Sequence, residues 1–174
     1  MLLVAHPEAR GAAAAAISAT AEREGAALTL RYEATGDVAA LSWPSAQSPM
    51  RADNLWRHTC FEAFVREEAN DAYVELNFSP STQWAAYRFS AYRAGMIPAL
   101  GVPMPRIKFE RGAHAFVLTA RVDLGAVLRA GATWRCGLTA VIEETSGAKS
   151  YWALAHPSGA PDFHHGDGFI VELA

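Results

Sequence analysis

The sequence predicts an all-β protein: a single-domain β-sandwich of jelly-roll type, with antiparallel sheets and little helix. Two observations carry that prediction. Apolar and polar residues alternate with a period of two in several runs, as they do in half-buried strands. The runs are short and are separated by turn-rich pieces, the pattern of sandwiches and jelly rolls. Composition agrees, because 174 residues with 51% hydrophobic and 19% charged side chains can bury a core, and the length suits one domain over residues 1–174.

Taken in chain order, the Ala-rich opening "AAAAAISATAEREG" is ambiguous. Alanine favours helix, yet Ile17, Ala19 and Ala21 alternate with Ser18, Thr20 and Glu22. Gly25 then leads into "ALTLRYEATGD", where Leu28, Leu30 and Tyr32 are in step. Helix followed by strand and hairpin both fit residues 12–24, and the alternation favours a hairpin turning near Arg23–Gly25. Next, "TCFEAFVR" sets Phe61, Ala63 and Val65 against Cys60, Glu62, Phe64 and Arg66. "AYVELNF" sets Val74, Leu76 and Phe78 against Tyr73, Glu75 and Asn77. A short helix or turn is expected near Gln83–Tyr92. Two further strands follow, with Phe116, Leu118, Ala120 and Val122 on one face and Trp134, Cys136, Leu138, Ala140 and Ile142 on the other's. "GFIVEL" closes the chain with Phe169, Val171 and Leu173 alternating.

Charge narrows the function. The formal net charge is -3 and the basic residues are scattered, so there is no stripe to neutralise a phosphate backbone and nucleic acid is not an expected partner. No apolar run reaches the roughly 18 residues of a membrane helix. The N-terminus lacks the basic region of a signal peptide, which leads to the expectation of a cytoplasmic protein without a membrane partner. In that setting Cys60 and Cys136 are expected to be buried free thiols.

Sorting by strand face places Glu62 with Arg66, Glu75 with Asn77, Thr119 with Arg121, and Arg135 with Thr139 on the polar sides. Lysine is confined to Lys108 and Lys149, and arginine's rigid fork suits bidentate recognition better. These charges either pair with one another across strands or form a ligand-binding face. Trp56, Trp84, Tyr87, Tyr92 and Trp152 cluster in the same segments. Aromatic faces beside amides and guanidiniums can stack on sugar rings while hydrogen-bonding their hydroxyls; core packing is the alternative for each, and Trp152 in "SYWAL" is read as structural. The predicted ligand-binding set is Trp56, Arg57, Glu62, Glu75, Asn77, Trp84, Arg88, Arg121, Asp162 and His164.

Three stretches together, "LWRHTCFEAFV", "AYVELNFSPSTQWAAYRFSAYRAGM" and "SYWALAHPSGAPDFHHGDGF", resemble the bacterial DOMON-like proteins, a group related to the family 9 carbohydrate-binding modules. The resemblance runs from about Leu28 to the C-terminus. It implies a β-sandwich of jelly-roll type and a non-catalytic role, with sugars or haem as ligands in different branches. Glu62 matches the glutamate of the family 9 pattern, whereas Thr59 stands where that pattern has aspartate.

The expected function is therefore non-catalytic binding of a small polar ligand, a saccharide or sugar-containing metabolite, with no cofactor. One alternative is a glycoside-processing enzyme, for which Glu62 and Glu75 would supply two carboxyl groups roughly 5 to 10 Å apart. Others are a haem- or metal-binding sandwich and a protein-interaction sandwich. "PDFHHGD" offers Asp162, His164, His165 and Asp167 as ligands, but adjacent histidines on a strand point to opposite faces. A turn fastened by Asp162 and one histidine is the preferred reading. His58 and the methionines Met50, Met96 and Met104 show no spacing diagnostic of haem. His58 and Cys60 could share a strand face, but no orienting residue or oxyanion element accompanies them.

Overall fold

Twelve β-strands build the protein, a computed structural model describing residues 1–8 and 11–174. They are β1 (Leu2–Ala5), β2 (Ala14–Glu24), β3 (Ala27–Gly36), β4 (Cys60–Glu67), β5 (Tyr73–Phe78), β6 (Trp84–Phe89), β7 (Ile97–Pro98), β8 (Arg106–Arg111), β9 (Ala115–Asp123), β10 (Trp134–Glu143), β11 (Lys149–Ala153) and β12 (Val171–Leu173). Every pairing between them is antiparallel. Three 3₁₀ turns, at Val38–Ala40, Leu55–Arg57 and Gly166–Gly168, are the helical segments among the described residues.

One sheet runs β1-β2-β3-β9-β8 and the other β7-β6-β5-β4-β10-β11-β1, with β12 beside β10. The first strand belongs to both: Leu2 and Leu3 pair with β2, whereas Val4 and Ala5 pair with β11. The sheets pack face to face, as in a β-sandwich. Tyr32 and Phe116 from the first sheet meet Phe61 from the second, with ring centroids 5.1 and 5.7 Å apart. Leu28, Leu30, Leu76, Leu118, Trp134 and Leu138 fill the same core, and each is fully buried.

Residues 14–36 form the hairpin that their alternation suggests. Ile17 and Ala19 are buried, and Gly25 turns the chain with φ of +60°, a conformation open to glycine without cost. The expected helix or turn near Gln83–Tyr92 is instead β6, which pairs with β5 from Trp84↔Phe78 to Phe89↔Tyr73. Both its faces are covered, Trp84 and Ala86 by the main core and Ala85, Tyr87 and Phe89 by a second apolar cluster. A strand buried on two sides carries no apolar–polar alternation to reveal it. Both cysteines are free and buried.

Candidate binding cleft

The outer face of the second sheet is the floor of a cleft of about 750 Å³, a volume within the usual range for small-molecule sites. Side chains two apart on one strand share a face, so the register assembles that floor in rows. Thr139, Glu62, Asn77 and Ala85 lie across β10, β4, β5 and β6. The next row runs Gly137, Phe64, Glu75, Tyr87 and Pro98, and a third runs Arg135, Arg66, Tyr73 and Phe89. Glu62 and Glu75 are thus diagonal neighbours on adjacent strands, a relation that sets backbones roughly 7–8 Å apart.

Trp56 stands on the rim, 49% exposed, at the 3₁₀ turn leading into β4. Across the opening, Met96 and Pro98 come from the segment around β7, while Phe163 and His164 descend from the 161–169 segment. That segment is anchored by Asp162. The Asp162 carboxylate accepts the His164 backbone N–H (3.0 Å), the Arg93 guanidinium (2.7 and 3.2 Å) and the Tyr92 hydroxyl. Burial alone would raise the Asp162 pKa, but these donors more than offset it and hold the carboxyl below its ordinary value. The Ala91–Ala94 hairpin carrying Arg93 needs Gly95 at φ +64°, where any Cβ would sit 2.3 Å from the Ser90 hydroxyl.

A hydrogen-bonded chain runs along the cleft wall. The Arg93 N–H donates to the Tyr73 hydroxyl (3.2 Å), which lies 2.7 Å from His164 Nδ1. With its oxygen accepting from Arg93, the Tyr73 hydroxyl has its proton free for Nδ1, so Nε2–H of a neutral His164 faces Glu75 Oε2 at 3.8 Å. Burial chiefly, with the Arg93 charge, pushes the His164 pKa down to about 4.

The carboxyl groups of the floor are the electrostatic centre. Glu62 and Glu75 are 3% and 6% exposed. Glu75 Oε1 accepts a hydrogen bond from the Asn77 amide (2.7 Å), whose carbonyl in turn faces the Cys60 thiol (3.6 Å). Glu62 Oε2 has a long bond from Thr139 (3.5 Å), and Glu62 Oε1 is buried with no hydrogen-bond partner. Burial first, then the neighbouring Glu75 charge, raises the Glu62 pKa well above the ordinary carboxylate value. Burial raises Glu75 as well, opposed by Asn77 and Arg93. The two carboxyls therefore titrate as a pair, displaced together above the ordinary carboxylate range.

Of the residues expected to bind ligand, Trp56, Glu62, Glu75 and His164 converge on the cleft. Asp162 anchors the wall from outside. Asn77 is 1% exposed and holds Glu75 instead of reaching the opening. Arg57 is exposed beside Trp56, its guanidinium 5.3 Å from that ring. The other three lie away from the cleft. Trp84 packs in the main core at 4% exposure, with the Arg51 guanidinium 4.0 Å from its ring, because its parity on β6 matches Ala86 and not Tyr87. Arg88 shares the Trp84 parity and is exposed away from the cleft. Arg121 lies on β9 in the other sheet, paired with Glu24 and Thr29. None of Arg57, Arg88 or Arg121 touches Glu62.

Sequence reasoning missed Tyr73 and Arg93, and read Tyr87 only as one of an aromatic cluster. Tyr73 shares the parity of Glu75 on β5, which is a usable signal; the Tyr87 hydroxyl donates to Asp53 (2.5 Å) at the cleft edge. Arg93 comes from a loop, and only the fold brings it there. Cys60 is not poised as a nucleophile, since burial raises its pKa and the His58 ring donates to Glu143 (2.7 Å). Thr59 is wholly buried; its hydroxyl donates to Ser42 O and accepts from Glu143 N–H, bracing the start of β4.

No protein-family profile and no curated protein sequence matches the chain. Solved structures do match. A candidate carbohydrate-binding protein from Bacteroides uniformis ATCC 8492 is 17% identical with a TM-score of 0.67, over 91% of this chain and 77% of that one. A family 9 carbohydrate-binding module from Caldicellulosiruptor kristjanssonii in complex with glucose gives 13% identity and a TM-score of 0.51, over 91% and 75% of the two chains. The same kind of module from that organism in complex with cellotriose gives 15% and 0.52, over 90% and 74%. At these identities the likeness is one of fold, a β-sandwich.

Proposed function

We propose that this protein binds a saccharide in the cleft without turning it over. The observation that carries the reading is the orphaned Glu62 Oε1: a buried oxygen on the cleft floor that protein groups leave unsatisfied, at a cost a ligand hydroxyl would relieve. Phe64, Tyr87 and Trp56 offer apolar faces around it for the C–H side of a pyranose. The fold neighbours that hold glucose and cellotriose support the same reading. The resemblance of the sequence to DOMON-like proteins, which implies a non-catalytic role with sugars or haem as ligands, is compatible with it.

The test is calorimetric titration with glucose and cellotriose. Trp56→Ala should weaken cellotriose binding by about tenfold or more, as loss of an aromatic anchor does, and leave the melting temperature unchanged because Trp56 is half exposed. Equal affinity in the variant would remove Trp56 from the site. The diagonal Glu62–Glu75 pair, two neighbouring carboxyls held up by burial, is the arrangement that favours a second reading, glycoside hydrolysis. Incubation with cellotriose followed by product analysis decides between them, and intact trisaccharide is the expected result.

A further inference from the structure

Resting on the saccharide reading, the charge inventory of the cleft specifies a class of sugar. Three carboxyl groups line it, Asp53, Glu62 and Glu75. The one cationic side chain on its walls, among the described residues, is Arg93, and its guanidinium is already bound by Asp162 through two hydrogen bonds. His164 is neutral and presents Nε2 to Glu75. Asp53 is engaged by the Tyr87 hydroxyl and Glu75 by Asn77, which leaves Glu62 Oε1, buried and unpartnered, as the acceptor without a protein donor. Around it stand the rings of Phe64, Tyr87, Phe89 and Phe163, whose faces attract cations.

We infer that the cleft takes an amino sugar with a free ammonium group, which pairs with Glu62 and Glu75 while the aromatic rings cover its pyranose. An anionic sugar, such as a uronate or a sugar phosphate, would meet like charge with no free guanidinium to receive it. An N-acetylated sugar would bring an amide where the floor is built for a cation.

Three β-1,4-linked trisaccharides of one backbone test this: cellotriose, the trimer of glucosamine with free amines, and its fully N-acetylated form. Titrated into the protein at a pH where the amines are charged, the triamine should bind at least about tenfold more tightly than the other two, the affinity that one charge-assisted hydrogen bond to a buried carboxylate confers. Glu62→Gln should remove most of that preference, bringing the triamine's affinity down to that of cellotriose in the same variant; Glu75→Gln is the second variant. If cellotriose or the acetylated trimer binds as tightly as the triamine, the ammonium inference is overturned and saccharide binding stands. Preference that survives in both variants would also overturn it, by showing attraction to the protein's net negative surface. Absence of binding by all three would overturn the saccharide reading itself.

Discussion

At the scale of single residues, two groups with displaced pKa values set opposite limits on stability. His164 titrates at about 4 in the folded protein against 6.5 when free. The unfolded chain therefore takes up a proton that the folded chain refuses, and stability falls as pH drops from 6.5 towards 4. The loss is on the order of 2 kcal/mol once partial solvent access is allowed for. Glu62 works the other way. Its folded pKa is raised above the 4.5 of a free carboxyl, so stability falls as pH rises beyond 4.5 and through the raised value. Thermal melts across this range should show His164→Gln flattening the acid side and Glu62→Gln flattening the alkaline side. Variants whose melting temperatures keep the parent's pH profile would contradict the two assignments. The environment responsible for the His164 shift is fully on view: Phe64 and Phe89 against the ring, Tyr73 on Nδ1, Glu75 before Nε2, and Arg93 and Asp162 behind.

At the scale of elements, the 161–169 segment reaches the sheet because β10 makes room for it. A Cβ at Gly137 would stand 2.9 Å from the Gly168 carbonyl oxygen and 3.3 Å from its carbon, which are backbone atoms that cannot rotate away. Gly137→Ala should cost about 1–3 kcal/mol by overpacking and weaken cellotriose binding, because it pushes the strut of Phe163 and His164 off the floor. Unfolding and titration of that one variant check both effects. Legibility in the sequence follows the same division. Strands buried on one face, β3 and β9, show their inward residues by alternation, and so does the core side of β10. The floor strands β4 and β5 gave the right parity and placed Glu62 and Glu75 in the ligand-binding set, but their polar sides are buried too, which alternation alone does not distinguish from a charged surface face. Strand β6 alternates between two apolar environments, which hid both the strand and the inward course of Trp84. The wall residues Arg93 and Phe163 come from separate loops, and their meeting depends on through-space packing that no local period encodes.

At the scale of the whole molecule, the two sheets are joined in two ways. Strand β1 hydrogen-bonds to both, and a side chain crosses between them: Tyr32, rooted in β3 and fully buried, donates its hydroxyl to the Glu62 backbone carbonyl at 2.6 Å. Tyr32→Phe should cost about 0.5–1.5 kcal/mol by removing that buried hydrogen bond; a variant as stable as its parent in urea would show that the bond adds nothing to the hold between the sheets. The core thus holds the cleft floor from below, at the backbone of Glu62. That attachment divides what is free to diversify from what is not. A change to the floor disturbs the interior of the protein, whereas the rim at Trp56, Met96 and Phe163 hangs on loops that can be exchanged at small structural expense. New specificities on this scaffold, whether arising by descent or by engineering, would then be written around the mouth, over a floor common to all of them.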